Sequence, residues 1–400
     1  MKSILFLVHR LPYPPNKGDK ITSYNILKYF SSRYGVYLGC FVDDRADWQY
    51  VEHVKSFCKE TCIVDLNPVT AKVSSLRGLL TGEPLSLPYY RSTTLRRWVE
   101  ALIDRACFDG VLIFSGVMAQ YVSGKLDRDI RTVLDLEDVD SDKWRLYARE
   151  HPWPMNWLYR RESKYLLAFE KKMADEFDST VFVSREEADF FKTLAPSVSE
   201  KIVHRVQGID GVFFDPVLRY ESPYPSEYLI LAFIGAMDYW PNANAAVWFA
   251  HSVFPEIRKK YTRTRFYIVG MNPGEEVRQL AGIEGVFVTG GVADIRPYIA
   301  HADVIVVPLR LARGIQNKVL EAMAMERPVL ATSYAMQGII PYTGFTPLVA
   351  DDEQALLEGA LALLSGNAKQ NLEAGRACVL AHYNWDTNLR SFESLLRGER

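Results

Sequence analysis

Twice along its length the chain alternates short apolar stretches with longer amphipathic ones, and that rhythm constrains the fold more than any single residue does. In the first half the apolar stretches read ILFLVH, VYLGCFV, CIVDL, GVLIFSG, TVLDLE and STVFVS. In the second half they read LILAFIGAM, TRFYIVG, GVFVTG, DVIVVPL, PVLATS and TPLVAD. Short apolar runs separated by helix-length segments predict parallel strands joined by helical crossovers. Each set is enough for one doubly wound sheet, so the expected class is α/β, with two Rossmann-like domains. Length agrees, because 400 residues exceed what one core usually supports. Between the two sets, GIDGVFFDPVLRYESPYPSE is rich in Pro, Gly and Tyr and suits an inter-domain linker. The expected domains are residues 1–204 and 205–383, with an amphipathic final helix in 384–400 packing back on the first. Two such domains are expected to face a cleft lined by the carboxyl ends of their strands, where ligands of open α/β sheets bind.

Composition excludes several classes. A formal net charge of −2 argues against a protein that coats nucleic acid. The start, MKSILFLVHRLP, has too few apolar residues for a signal peptide and reads as a first strand. No run reaches the ~18 apolar residues of a spanning helix. The expectation is a cytoplasmic chain, with any membrane contact peripheral. Cys40, Cys58, Cys62, Cys107 and Cys378 form no disulfide framework in a chain this long. Cys58 and Cys62 lie near His53, but their spacing matches no zinc signature, and buried reduced thiols are expected instead.

One loop carries the densest chemistry. The strand ADVIVVP ends in Pro308; a loop with Arg310, Arg313 and Gly314 follows, and then an apolar helix bearing a single acid, Glu321. A helix beginning just after Gly314 directs unpaired N–H groups and a partial positive charge at whatever precedes it. With Arg310, Arg313 and Lys318 around it, this describes an anion site, and a diphosphate is the commonest fit. Glu321, two turns along, can accept hydrogen bonds from sugar hydroxyls. The alternative is a helix with ordinary solvated charges.

The segment GIQNKVLEAMAMERPVLATS resembles the nucleotide-sugar motif of the retaining glycosyltransferases of family 4, which have the two-domain GT-B fold. VQGIDGVFFDP, FYIVGMNP and VFVTGGVADIRPYIAHADVIVVPL are similar to other segments of that family in the same order. FIGAMDYWPNANAAVWF, LDLEDVDSDKW and GEPLSLPYYRS resemble a bacterial branch associated with exopolysaccharide and exosortase systems. The resemblance implies a hexosyl transfer with retention, from a UDP- or GDP-sugar to a saccharide or lipid-linked acceptor, with no metal and no cofactor. It implies that Glu321 holds the ribose hydroxyls and that Gly290, Gly291 and Val292 border the base. Gly235, Gly314, Ile315, Gln316 and Asn317 would line the donor, and Gly18 would belong to a glycine loop closing over it. Two rival functions are a catalytically silent relative that binds a nucleotide sugar, and a GT-B nucleotide-sugar epimerase.

The sequence departs from the family pattern in three places. Arg313 stands where a glutamate is usual; Ala236 and Pro241 replace an arginine and a lysine; and LEDVDSD, with Glu137, Asp138, Asp140 and Asp142, stands where a histidine is expected. Arg313 and Lys318 are expected to restore the lost cations at the diphosphate, and Asp138 to face a sugar, so the catalytic candidates are Asp138, Arg313 and Lys318. Asp138 and Asp140 also fit the DxD metal pattern of the other glycosyltransferase fold, a weak signal, while Asp140 or Ser141 can instead cap a helix. His9, Arg10 and Asp140 are candidates for the acceptor side. In residues 144–173, Trp157, Leu158, Tyr165, Phe169 and Met173 fall near one helical stripe, with Arg160, Arg161, Lys164, Lys171 and Lys172 off it. Such a helix either lies on anionic lipid or packs on the sheet.

Overall fold

In a computed structural model of the chain the residues described are 2–127, 129–312, 314–342, 344 and 347–399. The chain divides into two compact units, Met1–Val206 with Asp386–Arg400, and Gln207–Trp385.

Among the described residues the first unit is built on one seven-stranded sheet. Its strands are β1 (Ser3–Val8), β2 (Gly35–Val42), β3 (Glu60–Asp65), β4 (Gly110–Phe114), β5 (Arg131–Glu137), β6 (Ser179–Phe182) and β7 (Ile202–His204). They run parallel in the order β3-β2-β1-β4-β5-β6-β7. The central strands β1 and β4 are buried along their whole length, as a sheet covered on both faces requires. β7 is absent from the sequence reading; three residues at a sheet edge carry no measurable periodicity. The helix Trp385–Arg397 closes this unit, burying Leu389, Phe392 and Leu396. Its Glu393 accepts hydrogen bonds from the hydroxyls of Tyr29 (2.8 Å) and Tyr34 (2.9 Å).

The second unit holds a six-stranded parallel sheet: β8 (Leu229–Ile234), β9 (Thr264–Val269), β10 (Val286–Gly290), β11 (Val304–Val307), β12 (Val329–Ala331) and β13 (Leu348–Val349). Its order is β10-β9-β8-β11-β12-β13. In both sheets the order reverses beside the first strand, between β1 and β4 and between β8 and β11. At such a switch point the two crossovers leave in opposite directions and open a crevice at the carboxyl ends.

Three expectations change. The Pro/Gly/Tyr-rich segment, expected as a linker, packs on the second unit: Tyr224 is buried and donates to Tyr298 O (2.8 Å), and Arg376 donates to Phe214 O (2.8 Å). Residues 144–173 are not one helix but the ends of two, Asp140–Glu150 and Met155–Glu176, parted where Pro152 and Pro154 remove amide donors. The buried face of the second is Glu162, Leu166, Glu170, Met173 and Ala174, so of the expected stripe only Met173 is buried, and Trp157 is exposed. The reason is that two glutamates are buried as caps for other segments. Glu162 accepts from the amides of Leu85 (2.7 Å) and Ser86 (3.1 Å), and Glu170 from the Ser141 amide (3.1 Å) and hydroxyl (2.5 Å). Third, the N-cap of the helix Asp140–Glu150 is Val139, not Asp140 or Ser141; Glu187 accepts from the Val139 amide (3.0 Å).

The cysteines are free; Cys40 and Cys378 are buried, but Cys58, Cys62 and Cys107 only half so. Among the described residues no three His, Cys, Asp or Glu side chains are grouped to hold a metal ion, and no helix is long and apolar enough to cross a membrane.

Candidate functional site

The carboxyl edge of the second sheet starts from glycines. Gly235 follows β8, Gly270 follows β9, and Gly290 ends β10 with φ +70°. A Cβ on Gly270 would lie 1.6 Å from Gly235 O, so the chain can pass there only without a side chain. The Gly270 amide donates to Gly290 O (3.2 Å), which sets the three turns side by side. Gly291 is exposed and Val292 half-exposed beyond them. A Cβ on Gly290 would meet nothing, so its glycine is required by the positive φ alone.

Across the switch point, β11 leads through Gly314 (φ +66°) to the helix Asn317–Ala324. The helix therefore begins two residues later than expected. Ile315 and Gln316 continue the loop, and Gln316 is the N-cap in extended conformation, its side chain making no cap hydrogen bond to the helix. Arg313 lies outside the described residues. Arg310 is exposed, its guanidinium 5.3 Å from the Trp248 ring.

Lys318, on the first turn, is turned back to the end of β8. Its Nζ donates to Asn242 Oδ1 (2.9 Å) and lies 3.4 Å from Gln316 Oε1, while its Cε would be 3.3 Å from a Cβ on Gly235. Asn242 is buried and donates from Nδ2 to Ala236 O (2.9 Å). One turn further along the helix Glu321 is 7% exposed. Burial pushes its carboxyl up to about 7, against the pull of Lys318. Burial likewise lowers the Lys318 ammonium to about 8, against the pull of Glu321. Each charge is only partly compensated by the other. Asn317 Oδ1, at the start of the same helix, is buried with no hydrogen-bond partner among the described residues. A buried orphan acceptor calls for a donor from outside, such as a hydroxyl. The arrangement can thus take an anion at Lys318 and hydroxyl groups at Asn317 and Glu321.

The first sheet's edge is organised differently. His9 and Arg10 follow β1, and both turn to Asp19 in the first turn of the helix Gly18–Ser31, His9 Nε2 at 3.1 Å and Arg10 Nη1 at 2.9 Å from Oδ2. Arg10 Nε reaches Asp43 Oδ2 at 2.7 Å. Burial works against the Asp19 charge, yet the bonds from His9 and Arg10 hold its carboxyl well below the usual range. His9 Nδ1 is buried without a partner among the described residues. Gly18 opens that helix, and a Cβ there would meet nothing.

Asp138 follows β5, two strands from β1 on the same edge, its amide bonded to Leu136 O (2.9 Å). Beside it Glu137 sits at φ +60°, its acid raised by burial and by Asp135, with Arg205 opposing. Arg205 is itself bound to Asp135 at 2.8 Å. Asp140 pairs with Lys143 (2.8 Å) on its own helix.

Of the sequence candidates, Gly235, Gln316, Asn317, Lys318 and Glu321 thus come together in the second unit, with Gly290 and Gly291 on the same edge. His9, Arg10 and Asp138 lie along the first unit's edge, while Asp140 is turned to a local ion pair. Asn242 and Asp19 were missed. Asn242 stands in PNANAAVWF with nothing local to mark it, and only the fold brings it to Lys318. Asp19 sits directly after Gly18, ten residues from His9, where a helix-start acid reads as a dipole partner.

Residues 229–366, which contain this second-unit cluster, match the family model described as Glycosyl transferases group 1. No curated protein matches the chain in sequence. Solved structures do match it. A sucrose-phosphate synthase from Thermosynechococcus elongatus superposes with a TM-score of 0.74 at 18% identity, covering 100% of this chain and 99% of that one. HepE of Anabaena, in complex with UDP-glucose, gives 0.65 at 14% identity with 100% of both chains covered. WaaG, a glycosyltransferase involved in lipopolysaccharide biosynthesis, gives 0.64 at 15%, with 98% of both covered. The fold is therefore that of the GT-B glycosyltransferases, two Rossmann-like α/β domains. Within it, the stretch that matches the group 1 glycosyltransferase model lies in the second unit.

Proposed function

We propose that the chain is a retaining glycosyltransferase that moves a hexosyl unit from a nucleoside diphosphate sugar to a saccharide or lipid-linked acceptor in the synthesis of a cell-surface polysaccharide. The observation that carries the donor half is the second-unit cluster: Lys318 turned back over the β8 turn, Glu321 buried one turn further along the helix, and Asn317 at the helix start with a buried acceptor unpaired among the described residues. The diphosphate would lie against Lys318 and the amides of the helix start, where cation and dipole stabilise the departing phosphate. Glu321 and Asn317 would take ribose hydroxyls, and Gly290, Gly291 and Val292 would border the base. Two cations were expected from the resemblance at 236 and 241; Ala236 and Pro241 stand there, and Lys318 reaches the same turn from the opposite side of the switch point. Arg313 is proposed as a second clamp on the diphosphate, its planar fork suited to phosphate oxygens.

UDP is the favoured base, supported by the UDP-glucose complex of a protein with the same fold. No metal or cofactor enters the proposal, because Lys318 and the helix start supply the positive charge. Asp138, with His9 and Arg10 on the first unit's edge, is proposed to face the transferred sugar and its acceptor, in a cytoplasmic enzyme working at the inner face of a membrane. The test is direct: the purified chain is incubated with UDP-sugars and saccharide acceptors, and product is followed with and without chelator. Transfer that survives chelator supports the reading. UDP-sugar binding without any transfer would leave a silent binding protein instead, and conversion of the donor without acceptor would leave an epimerase.

A further inference from the structure

The first unit carries an amphipathic element turned outward. In the helix Pro68–Ser75 and the short helix Arg77–Thr81 that follows, the buried residues are Ala71, Ser75 and Gly78. The apolar stripe at helical spacing points the other way: Val69 is 71% exposed, Val73 65%, Leu76 53% and Leu80 92%. A folded protein rarely spends a stripe of aliphatic side chains at i, i+4, i+7 and i+11 on water, which marks the stripe as a surface for a partner. Two exposed tryptophans stand at the start of the helix Met155–Glu176, Trp153 two residues before it at 79% and Trp157 on its first turn at 56%. The two segments are tied together, since Arg161 donates to Glu83 O (3.2 Å) and Gly78 O, and Glu162 receives the amides of Leu85 and Ser86.

Charge identifies the partner. Residues 68–82 contain Lys72 and Arg77 and no acid, and residues 151–161 contain Arg160 and Arg161 and no acid. Glu83, the first acid after the stripe, is taken by Arg91 at 2.6 Å. Aliphatic side chains fringed by cations, with tryptophans at the margin, match the layers of an anionic bilayer surface, with acyl chains beneath phosphate. A second copy of the same patch fits poorly, because a two-fold contact would oppose the basic fringe to itself. Arg161 does not take part in binding lipid, being held by backbone carbonyls and lying 4.4 Å over the Tyr165 ring.

We propose that the outward face of residues 68–81, with Trp153 and Trp157, docks the chain on an anionic lipid bilayer. The proposal rests on the reading above for the class of acceptor such docking would serve, but its test is independent of the donor site. Full-length protein is mixed with sedimenting vesicles of phosphatidylcholine, alone or with about one third phosphatidylglycerol, and bound protein and UDP affinity are measured on the same preparations. Binding to the anionic vesicles is expected, weaker on phosphatidylcholine alone and weaker as salt rises from about 0.05 to about 0.5 M. Val73→Glu and Leu80→Glu should each reduce vesicle binding roughly tenfold or more, because each puts a carboxylate against acyl chains and phosphates. Both side chains are exposed, so the melting temperature and UDP affinity should hold. Val217→Glu, at an equally exposed valine of the second unit, should change nothing. Failure of the parent to bind anionic vesicles, or undiminished binding by Leu80→Glu, overturns the proposal. So does concentration-dependent dimerisation of the parent that Leu80→Glu abolishes, which would make a second copy the occupant. Loss of UDP binding alone, with vesicle binding kept, would sink the transferase reading and leave this surface standing.

Discussion

The two sheets place charged clusters at equivalent points, at the carboxyl end of the first strand beside the switch point, and treat the charges in opposite ways. At the first, Arg10 lies between Asp19 and Asp43 and His9 completes the contact, so that Asp19 is held ionised against its burial. At the second, Lys318 is bonded to neutral amide oxygens, and Lys318 and Glu321 are both driven toward their neutral forms. In the first cluster the charges of Arg10, Asp19 and Asp43 compensate one another. In the second they are only partly compensated, and the donor proposed above would bring an anion to Lys318 and hydroxyls to Glu321.

The comparison can be broken most severely at the backbone. Gly270→Ala puts a methyl 1.6 Å from Gly235 O, a backbone atom, and should cost about 4 kcal/mol or prevent folding, whereas Gly18→Ala should stay within about 0.5 kcal/mol. Denaturant titration of both variants checks this. Next in size is Arg10→Met, which strips two carboxylates of their cation and should destabilise the chain by roughly 2–4 kcal/mol, while Lys318→Met, which loses the bond to Asn242 but also a charge that burial disfavours, should change stability by less than about 1 kcal/mol. Equal losses in the two melts would erase the distinction between a compensated and a partly compensated cluster.

A smaller effect has the opposite sign. The Glu321 carboxyl is raised in the fold to about 7 from an ordinary 4.5, so folding disfavours its ionised form. That penalty is absent below the unfolded value, grows as pH rises through the interval and is complete above about 7. Glu321→Gln should therefore stabilise the unliganded chain by roughly 1–3 kcal/mol at pH 8, with the gain shrinking to nothing toward pH 4.5. Asp19 behaves conversely: its carboxyl is lowered, so its contribution is present above 3.8 and is lost as pH falls below that value. Paired melts of parent and Glu321→Gln across this range test the sign, and a loss of stability at pH 8 would contradict it.

Much of the fold was legible because it rests on period and burial. Every one of the twelve apolar stretches became a strand, and among the described residues only the three-residue β7 escaped. The site was half legible. Gly314, Lys318 and Glu321 stand within eight residues of one another, so local spacing pointed at them, but Asn242 reaches Lys318 only through the pairing of β8 with β11. The helix start was misplaced because a glycine with positive φ reads like a helix boundary, when here it turns a loop that runs on through Gln316. The long basic segment misled for another reason. Pattern reading assigns glutamates to the outside, and Glu162 and Glu170 are inside, each satisfying amides of a distant segment that sequence alone does not bring near.

The central claim is that the second-unit cluster holds a nucleoside diphosphate, and calorimetric titration of UDP into the parent, Lys318→Met and Glu321→Ala tests it most directly. The account predicts that the parent binds, that each variant loses roughly 1.5–3 kcal/mol of binding free energy, and that Arg10→Gln binds UDP as the parent does. Affinity should also be greatest between about pH 7 and 8, where Glu321 is ionised and Lys318 still charged. UDP binding equally well to the parent, Lys318→Met and Glu321→Ala would contradict it and remove both residues from the site.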